Sequence, residues 1–479
     1  MNRPSRPFPR RWVVRGAVAL LALLLVAPAG FSGVTYLATA EDPSNLRAAV
    51  DEPANGTTII SIQGFHFQGM ANENKPARLV AVGPRGEVEW VHDGSGFDAQ
   101  WFYDVDPLDN GNLLVTATAE GETLVYELDP KTQERVWTER LPVRDTHDVD
   151  LINGDQLLVA NMRQPAKGDR VFVYDRPSGE IVWEWTFADH YPNDVGGSEN
   201  DWTHVNDIDK IGDGEYLVSP RNFDQVIVVN RSTDEIDMRL GEDGDHDTLY
   251  EQHNPTYLES DDGDPTVLVA DSENDRIVEY EREGGTATNG EATSAASDEA
   301  EWNLTWSIGT KGLSWPRDAD RLPNGNTLVV DTMNQRVFEV TPRGEVVWEF
   351  YAPWAPYDVE RMQLGDEPGG PTMSDVGATG THDLTGSSLS VGQSEGVSFW
   401  IEETFEDTAV ESQAFAFART WAHVTPWIRP VWMTSWEFLG VVFGVLALLL
   451  WGLGEVVYQR RRIWQGVSGA ASRVRRSVR

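Results

Sequence analysis

One pattern recurs along this chain and constrains its fold more than any other feature. Four segments carry an Asp nine residues before a strand Val, with an Asn-Gly or Asp-Gly turn between them. They read YDVDPLDNGNLLV (103–115), HDVDLINGDQLLV (147–159), NDIDKIGDGEYLV (206–218) and RDADRLPNGNTLV (317–329). A fifth, HNPTYLESDDGDPTVLV (253–269), fits if its turn is four residues longer. Apolar runs around such turns are the signal of β-hairpins.

The complete repeat contains four strands. A strand of the type RVFVYD (170–175) follows each hairpin, and a Gly turn then leads into a strand ending in Trp, such as GEIVW (179–183). Repeats of roughly 45 to 65 residues built this way are propeller blades. We therefore predict an all-β propeller of four-stranded blades over residues 41–362. Five blades are explicit, and pairing of the strand near Ser61 with segment 350–362 supplies a sixth.

Charge and composition exclude several classes of function. Acidic residues outnumber basic ones 77 to 38, which argues against nucleic acid as a partner. The absence of Cys excludes disulfides and thiolate chemistry. An acidic chain with only five Lys is typical of proteins from very high salt, so we predict a halophilic protein of haloarchaeal origin.

Two apolar runs, residues 16–38 and 437–455, are each long enough to span a membrane, and Arg residues flank the outer end of both. We therefore predict cytoplasmic ends at 1–15 and 456–479, with the propeller outside the cell. Arg10-Arg11 and the Ala-Thr-Ala sequence at 38–40 leave a cleaved signal as the alternative for the first run. Residues 284–300 are predicted as a mobile insertion, and 363–436 as a Gly/Ser/Thr-rich linker and juxtamembrane segment.

Aligning the repeats indicates the candidate site. His147, His204 and His253 recur at equivalent places in the repeating pattern. Three positions before each framing Asp, or before Thr256 in the fifth repeat, stand Tyr103, His147, Asn206, Arg317 and His253. Equivalent positions of a toroid converge on its axis, so we expect a shared pocket. His204, Asn206 and Arg221 supply donors suited to an oxyanion. A neutral imidazole such as His253 is a competent nucleophile.

The order of these residues resembles the arylsulfotransferase family of β-propeller enzymes. It is carried by HD at 147–148, HVN at 204–206, SPR at 219–221 and QH at 252–253, within a similarity from about Ser61 to Pro356. The resemblance implies that His253 is transiently sulfated and that His204, Asn206 and Arg221 hold the sulfuryl group. It implies an aryl sulfate donor and a phenolic acceptor. SPR stands where the family often has SSR, so the resemblance does not define the acceptor pocket.

The remaining assignments complete the hypothesis. His147 matches an earlier family His and is assigned as the general acid or base, while Tyr103 and Arg317 are assigned to substrate binding. Neither a two-His, one-carboxylate spacing nor an HExxH pattern appears, so we assign no metal ion and no cofactor. Two alternatives stay open: a non-catalytic cell-surface binding or sensing propeller, and a quinone-dependent oxidoreductase, which would need a calcium-binding carboxylate cluster and usually eight blades.

The charge balance predicts that folding requires molar salt. Between the two apolar runs lie 75 acidic and 26 basic residues, and dilution restores their repulsion over about 10 Å at 0.1 M ionic strength. Circular dichroism during dialysis to low salt should therefore show loss of the β signal. An unchanged spectrum would contradict the prediction.

Overall fold

The structure is a computed structural model of the chain. It describes residues 10–39, 46–64, 66–67, 70–71, 77–94, 99–282, 301–309, 312–386, 396–406, 408–430 and 432–477, and the predicted insertion 284–300 lies outside them. The helices of the described residues are α1 (Arg10–Thr39), α2 (Phe187–His190), α3 (Val397–Phe405), α4 (Glu411–Ile428) and α5 (Ser435–Ser477).

The strands are short and rich in Val, Ile, Leu and aromatic residues, which suit a pleated, buried surface. In the first half of the described chain they are β1 (Arg47–Val50), β2 (Thr58–Ile62), β3 (His66–Phe67), β4 (Met70–Ala71), β5 (Arg78–Val82), β6 (Val88–Asp93), β7 (Trp101–Pro107), β8 (Leu113–Ala119), β9 (Glu122–Asp129), β10 (Glu134–Leu141), β11 (Val149–Ile152), β12 (Gln156–Asn161), β13 (Arg170–Asp175) and β14 (Glu180–Thr186). In the second half they are β15 (Val205–Gly212), β16 (Glu215–Pro220), β17 (Val226–Asn230), β18 (Glu235–Leu240), β19 (His253–Glu259), β20 (Pro265–Asp271), β21 (Arg276–Arg282), β22 (Trp302–Ile308), β23 (Pro316–Arg321), β24 (Thr327–Asp331), β25 (Arg336–Val340), β26 (Val346–Tyr351), β27 (Pro356–Arg361) and β28 (Gly380–His382).

Six of the sheets formed by the described strands are the blades of a propeller, and each has four consecutively paired antiparallel strands; β3 and β4 form a separate two-stranded sheet. Blades 2 to 6 are built from consecutive strands: β7–β10, β11–β14, β15–β18, β19–β22 and β23–β26. In blade 1 the late strand β27 is innermost and pairs with β2, followed by β5 and β6. This pairing of early and late strands closes the ring and confirms the predicted sixth blade. β1 extends blade 6, and β28 extends blade 5 in parallel.

The register of the hairpins follows the sequence repeat. In four blades the residue before the framing Asp pairs with the strand Val that defines the repeat: Val105 with Val115, Val149 with Val159, Ile208 with Val218 and Ala319 with Val329. The first two strands of each repeat are therefore aligned in the same way. This shared alignment brings equivalent residues to the same level of the propeller axis.

The core lies between the faces of neighbouring blades. Val171 and Trp185 of blade 3, for example, belong to one buried cluster with Ile208 and Val218 of blade 4. The buried Arg336 of blade 6 also makes charge-assisted bonds of 2.7 Å to Asp331 and 2.8 Å to Glu349. Removing either carboxylate would leave the buried Arg336 charge without its full set of partners, which destabilises the fold.

The chain divides into two compact units, Ser44–Trp427 and the terminal segments Met1–Pro43 with Ile428–Arg479. The second unit contains two helical stretches long and apolar enough to cross a membrane, Trp12–Ala38 and Ser435–Arg460. The predicted linker 363–436 includes β28, α3 and α4 among its described residues. Helix α4 falls almost entirely within the propeller unit.

The two terminal helices pack antiparallel within their unit. Arg15, near the start of α1, donates two hydrogen bonds of 2.8 and 2.6 Å to the Glu455 carboxylate of α5. The axes approach closely at Gly440, where a Cβ atom would stand 2.6 Å from the carbonyl oxygen of Leu25. Small residues at such contacts are typical of helix pairs in membranes.

Candidate active site

Each of the six blades brings one side chain from the start of its innermost strand to a common centre. The side chains are Tyr103, His147, Asn206, His253, Arg317 and Tyr357, all less than a tenth exposed. The first five are the predicted set. Tyr357 was missed, although YDVE at 357–360 repeats the YDVD of 103–106 and marked it as the equivalent residue of the closing blade.

A β-bulge explains how three of these side chains reach the axis. Side chains alternate along a strand, so acidic residues two places apart share one face, and the residue just before them should face away from the axis. In blade 2, however, Phe102 pairs with Ala117 and Asp104 with Thr116, which leaves Tyr103 as an extra residue. Arg317 and Tyr357 are extra residues in the same way. A bulge re-aims the side chain that it inserts.

The backbone just before the bulge is also unusual. Two residues before His147, Asn206, His253, Arg317 and Tyr357 stand Asp145, His204, Glu251, Trp315 and Ala355, all with φ between 45° and 58°. A left-handed conformation in a residue other than Gly costs of order 1 kcal/mol and persists where the surroundings enforce it. His204 is therefore not at the shared position of the repeat. It lies two residues earlier, yet its ring still meets that of His147.

The hydrogen bonds of His253 fix which of its nitrogens carries the proton. Nδ1 lies 2.8 Å from the hydroxyl of Ser272 and 3.2 Å from the carbonyl oxygen of Glu251. Ser272 donates its own hydroxyl hydrogen to the carbonyl oxygen of Pro316 at 2.6 Å, so it accepts from His253. Nδ1 therefore carries the hydrogen, and Nε2 has the lone pair. Among the described residues nothing hydrogen-bonds to Nε2.

His204 is oriented by an acidic partner that the sequence analysis did not identify. Its Nδ1 donates to the carboxylate of Asp201 at 2.8 Å, and Arg163 donates to the same carboxylate at 3.1 Å. Burial alone would raise the pKa of Asp201, but His204 and Arg163 together lower it. The carboxylate thus stays ionised and holds the His204 ring in place.

His147 is packed between aromatic rings. It stacks on Tyr103 with ring centres 4.0 Å apart, and the hydroxyl of Tyr357 lies 2.9 Å from its Nδ1. The hydroxyl of Tyr103 donates to Asp145 at 2.8 Å, and Asp145 in turn pairs with Arg163. Arg163 therefore links Asp145, the partner of Tyr103, to Asp201, the carboxylate that orients His204.

Two guanidinium groups supply the positive charge. Arg317 lies over the rings of Trp315 and Tyr357 at 4.2 and 4.8 Å and donates to Gln63 at 2.9 Å. Its buried Nε atom has no hydrogen-bond partner among the described residues. Arg221 lies 3.2 Å from the Glu251 carboxylate and retains partial exposure.

Asn206 is the remaining hydrogen-bond donor of the site. Its Nδ2 donates to the carbonyl oxygen of Gln252 at 2.8 Å, which ties it to the backbone beside His253. One amide hydrogen remains available, and its buried Oδ1 has no partner within the described chain.

Burial and charge set the protonation of the three histidines. Burial lowers the pKa of His253 and of His147 well below the usual range, and the neighbouring arginines lower both further. Burial and Arg221 lower the pKa of His204 to about 3, against the opposing effect of Asp201. Burial lowers the pKa of Arg317 to about 10, so that it stays charged at neutral pH. The site thus combines neutral imidazoles with fixed positive charge, which suits an anionic group beside a nucleophilic nitrogen.

Helix α4 borders the site at Trp315, which the sequence did not predict. The Trp315 indole stacks on His423 with ring centres 6.2 Å apart, and His423 lies 3.1 Å from Asp275. Arg419 of the same helix pairs with Glu273. Helix α4, which is not part of the blade repeat, therefore packs against the segment that carries Trp315 and Arg317.

The fold and the site together define a six-bladed β-propeller with an axial, cationic and histidine-lined centre. The family model described as "Arylsulfotransferase (ASST)" matches residues 50–303, more than half of the chain, and the protein belongs to this family. The match includes His147, His204, Asn206, Arg221 and His253. Arg317 and Tyr357 lie beyond the matched residues and are placed beside them by the closing blades. No curated protein matches the chain.

Several solved structures are similar in fold. A Bacteroides caccae protein of unknown function is 12% identical over 64% of this chain and 98% of its own, with a TM-score of 0.42. A Lactobacillus plantarum protein is 13% identical over 64% of this chain and 98% of its own, with a TM-score of 0.41. The virginiamycin B lyase of Staphylococcus aureus is 9% identical over 64% of this chain and 89% of its own, with a TM-score of 0.37. These similarities do not bear on the activity of this chain.

We predict that His253 stays neutral, with its proton on Nδ1, down to pH 5. Burial depresses the pKa of His253 most, and the charged and titratable groups Arg317, Arg221, His204 and His147 depress it further. An ordinary histidine would be about 97% protonated at that pH. The ¹⁵N shifts of labelled histidines, with the His253 signal assigned by its loss in His253→Gln, should show no protonation of this ring. A midpoint near 6.5 would contradict the prediction.

Proposed function

We propose that this protein is an aryl sulfate sulfotransferase that works through a sulfohistidine at His253. The observation that carries the proposal is the hydrogen-bonding of His253, in which Ser272 and Glu251 hold the proton on Nδ1 and leave the Nε2 lone pair for attack. Membership of the arylsulfotransferase family supports the same type of reaction. An aryl sulfate is the proposed donor and a phenol the proposed acceptor.

The reaction proceeds in two transfers. In the first, Nε2 of His253 bonds to sulfur while the bond from sulfur to the aryl oxygen breaks, and the phenolate leaves with the electron pair. In the second, the oxygen of an acceptor phenol bonds to sulfur and the S–N bond breaks, returning its electron pair to Nε2. The phenolic proton passes to His147 and from there to water. His147 is neutral at rest, so its lone pair can take this proton, and its lowered pKa favours passing the proton on to water.

Fixed donors would stabilise the charge that develops on the sulfuryl oxygens. Arg221, Arg317 and Asn206 surround the nucleophile and are held in advance by Glu251, Gln63 and Gln252. His204 gives its Nδ1 hydrogen to Asp201, so it would donate to a sulfuryl oxygen from Nε2 only as the imidazolium. Groups already in place need no reorganisation when charge appears, and losing one such donor typically costs roughly 10²–10³ in rate.

The two alternatives differ in what supports them. A quinone-dependent oxidoreductase usually has eight blades, and the described strands form six. A non-catalytic binding propeller would keep the fold but would not need a histidine with a fixed tautomer beside two guanidinium groups. The sulfotransferase hypothesis uses both of these features.

We also propose that both terminal helices anchor the protein in the cell membrane with the propeller outside. The contacts of α1 with α5, through Arg15, Glu455 and Gly440, support an anchor that is retained rather than a cleaved signal. Arg-rich sequence beyond each apolar run supports cytoplasmic ends. The halophilic character stays a prediction from composition.

His253→Ala should abolish covalent labelling by an aryl sulfate and lower turnover by at least about 10³-fold, because the attacking nitrogen is lost. Arg221→Ala should slow labelling by roughly 10²-fold while the labelled residue stays the same. Intact-mass analysis after exposure to an aryl sulfate measures labelling, peptide mapping locates the label, and release of the phenol measures turnover. His246→Ala, at an exposed histidine, is the matched control and should behave as wild type. Near-normal activity of His253→Ala would show that the nucleophile is wrong, and a wild type that neither labels nor turns over would favour the binding propeller.

Topology has a separate test. Protease added to intact cells should digest residues 44–427 and spare a tag placed after Arg479, because the charge pattern places these parts on opposite sides of the membrane. A tag before Met1 should be spared and remain attached to α1 if the first helix is uncleaved. Protection of the propeller would overturn this orientation.

A further inference from the structure

Below the histidine site, the axis of the propeller is lined by carboxylates. In four repeats the framing Asp and the Asp two residues earlier point the same way, as do Asp358 and Glu360 of the closing blade, since side chains two apart share a face of the strand. The cavity that they line has a volume of about 30 Å³, and one water needs roughly 10–15 Å³. Twelve of its fifteen described lining residues are acidic: Asp104, Asp106, Asp148, Asp150, Asp207, Asp209, Asp318, Asp320, Asp358, Glu360, Asp366 and Glu367.

Some of these carboxylates have a structural role. One oxygen of Asp148 accepts the backbone N–H of Ile208 at 2.5 Å, which links blade 3 to blade 4. Asp318 accepts from Val359 at 3.0 Å in the same way. Each carboxylate thus joins its blade to the next. A neutral amide would serve this purpose as well, so the bonds between blades do not account for the charge.

Other oxygens in the channel have no partner. Oδ2 of Asp207, Oδ2 of Asp320 and Oε2 of Glu360 are buried and make no hydrogen bond within the described chain, and these residues are only 6%, 4% and 5% exposed. No Lys, Arg or His is among the described residues that line the cavity. Buried carboxylates without partners are costly, and the cost is relieved by a bound cation or by protons.

The spacing of the carboxylates fits a bound cation. Oxygens of Asp106, Asp150 and Asp366 all lie within 4.8 Å of one another, as do oxygens of Asp148, Asp150 and Asp209. Calcium binds oxygen at roughly 2.3–2.6 Å in flexible shells of six to eight ligands, so opposite ligands stand about 5 Å apart. Magnesium requires a tighter octahedron at about 2.1 Å.

We propose that the axial channel binds a calcium ion between Asp106, Asp150 and Asp366, with Asp209 and Asp148 on its far side. These ligands come from blades 2, 3 and 4 and from the segment that follows the closing strand β27. The ion would link the segment after β27 to blades 2, 3 and 4 and reduce the negative charge beneath the histidine site. This inference does not depend on the sulfotransferase hypothesis.

The test is calorimetric titration of the EGTA-treated full chain in detergent micelles with CaCl₂, at constant KCl. Wild type should bind about one Ca²⁺ per chain, unfold at a higher temperature with Ca²⁺, and bind Mg²⁺ at least ten-fold more weakly. Asp150→Asn should weaken Ca²⁺ binding at least ten-fold. Because Asn keeps an acceptor for the backbone N–H of Lys210, the fold should be retained. Asp262→Asn, in an exposed turn, is the matched control and should bind as wild type.

Each other outcome overturns the proposal. Absence of Ca²⁺ binding by wild type would mean that shared protons alone neutralise the channel. Binding retained in Asp150→Asn, or lost equally in Asp262→Asn, would place the ion elsewhere, and equal binding of Mg²⁺ would rule out the assignment to calcium. If Asp150→Asn does not fold, Asp366→Asn takes its place, because that residue lies outside the blade strands.

Discussion

The bulge at the start of the innermost strands is the constraint on which the rest of the centre depends. Without it, Tyr103, Arg317 and Tyr357 would follow the strand alternation and point away from the axis. With it, one strand presents a functional side chain and, directly below, a carboxylate. In three blades, one local distortion thus places two layers of different chemistry on the same strand.

The two layers have opposite charge. The upper layer holds neutral imidazoles between Arg221 and Arg317, and the lower holds carboxylates with no basic residue among the described lining. A fixed positive charge above a negative channel favours an anionic group at the histidines and a cation beneath them. Both layers are buried, so these fields act where screening by solvent is weak.

Ring closure makes the site complete. Arg317 comes from blade 6 and Tyr357 from strand β27 of blade 1, which is aligned by its pairing with the early strand β2. The hydroxyl of Tyr357 in blade 1 reaches His147, which lies two blades away, and the Tyr357 ring lies under the Arg317 guanidinium. A site built from all six described blades is therefore sensitive to how the ring closes, even though the family match ends at residue 303.

The repeat itself determined the blade fold, the register of the hairpins and five of the six central residues, because strand pairing and alternation are local properties of the sequence. Tertiary structure decided the rest. The tautomer of His253 depends on Ser272 and Pro316, which are brought together only by packing of adjacent blades. Helix α4 lies against Trp315 although its sequence reads as a juxtamembrane segment. Contacts between residues far apart in sequence have no local pattern, so only the folded ring places them.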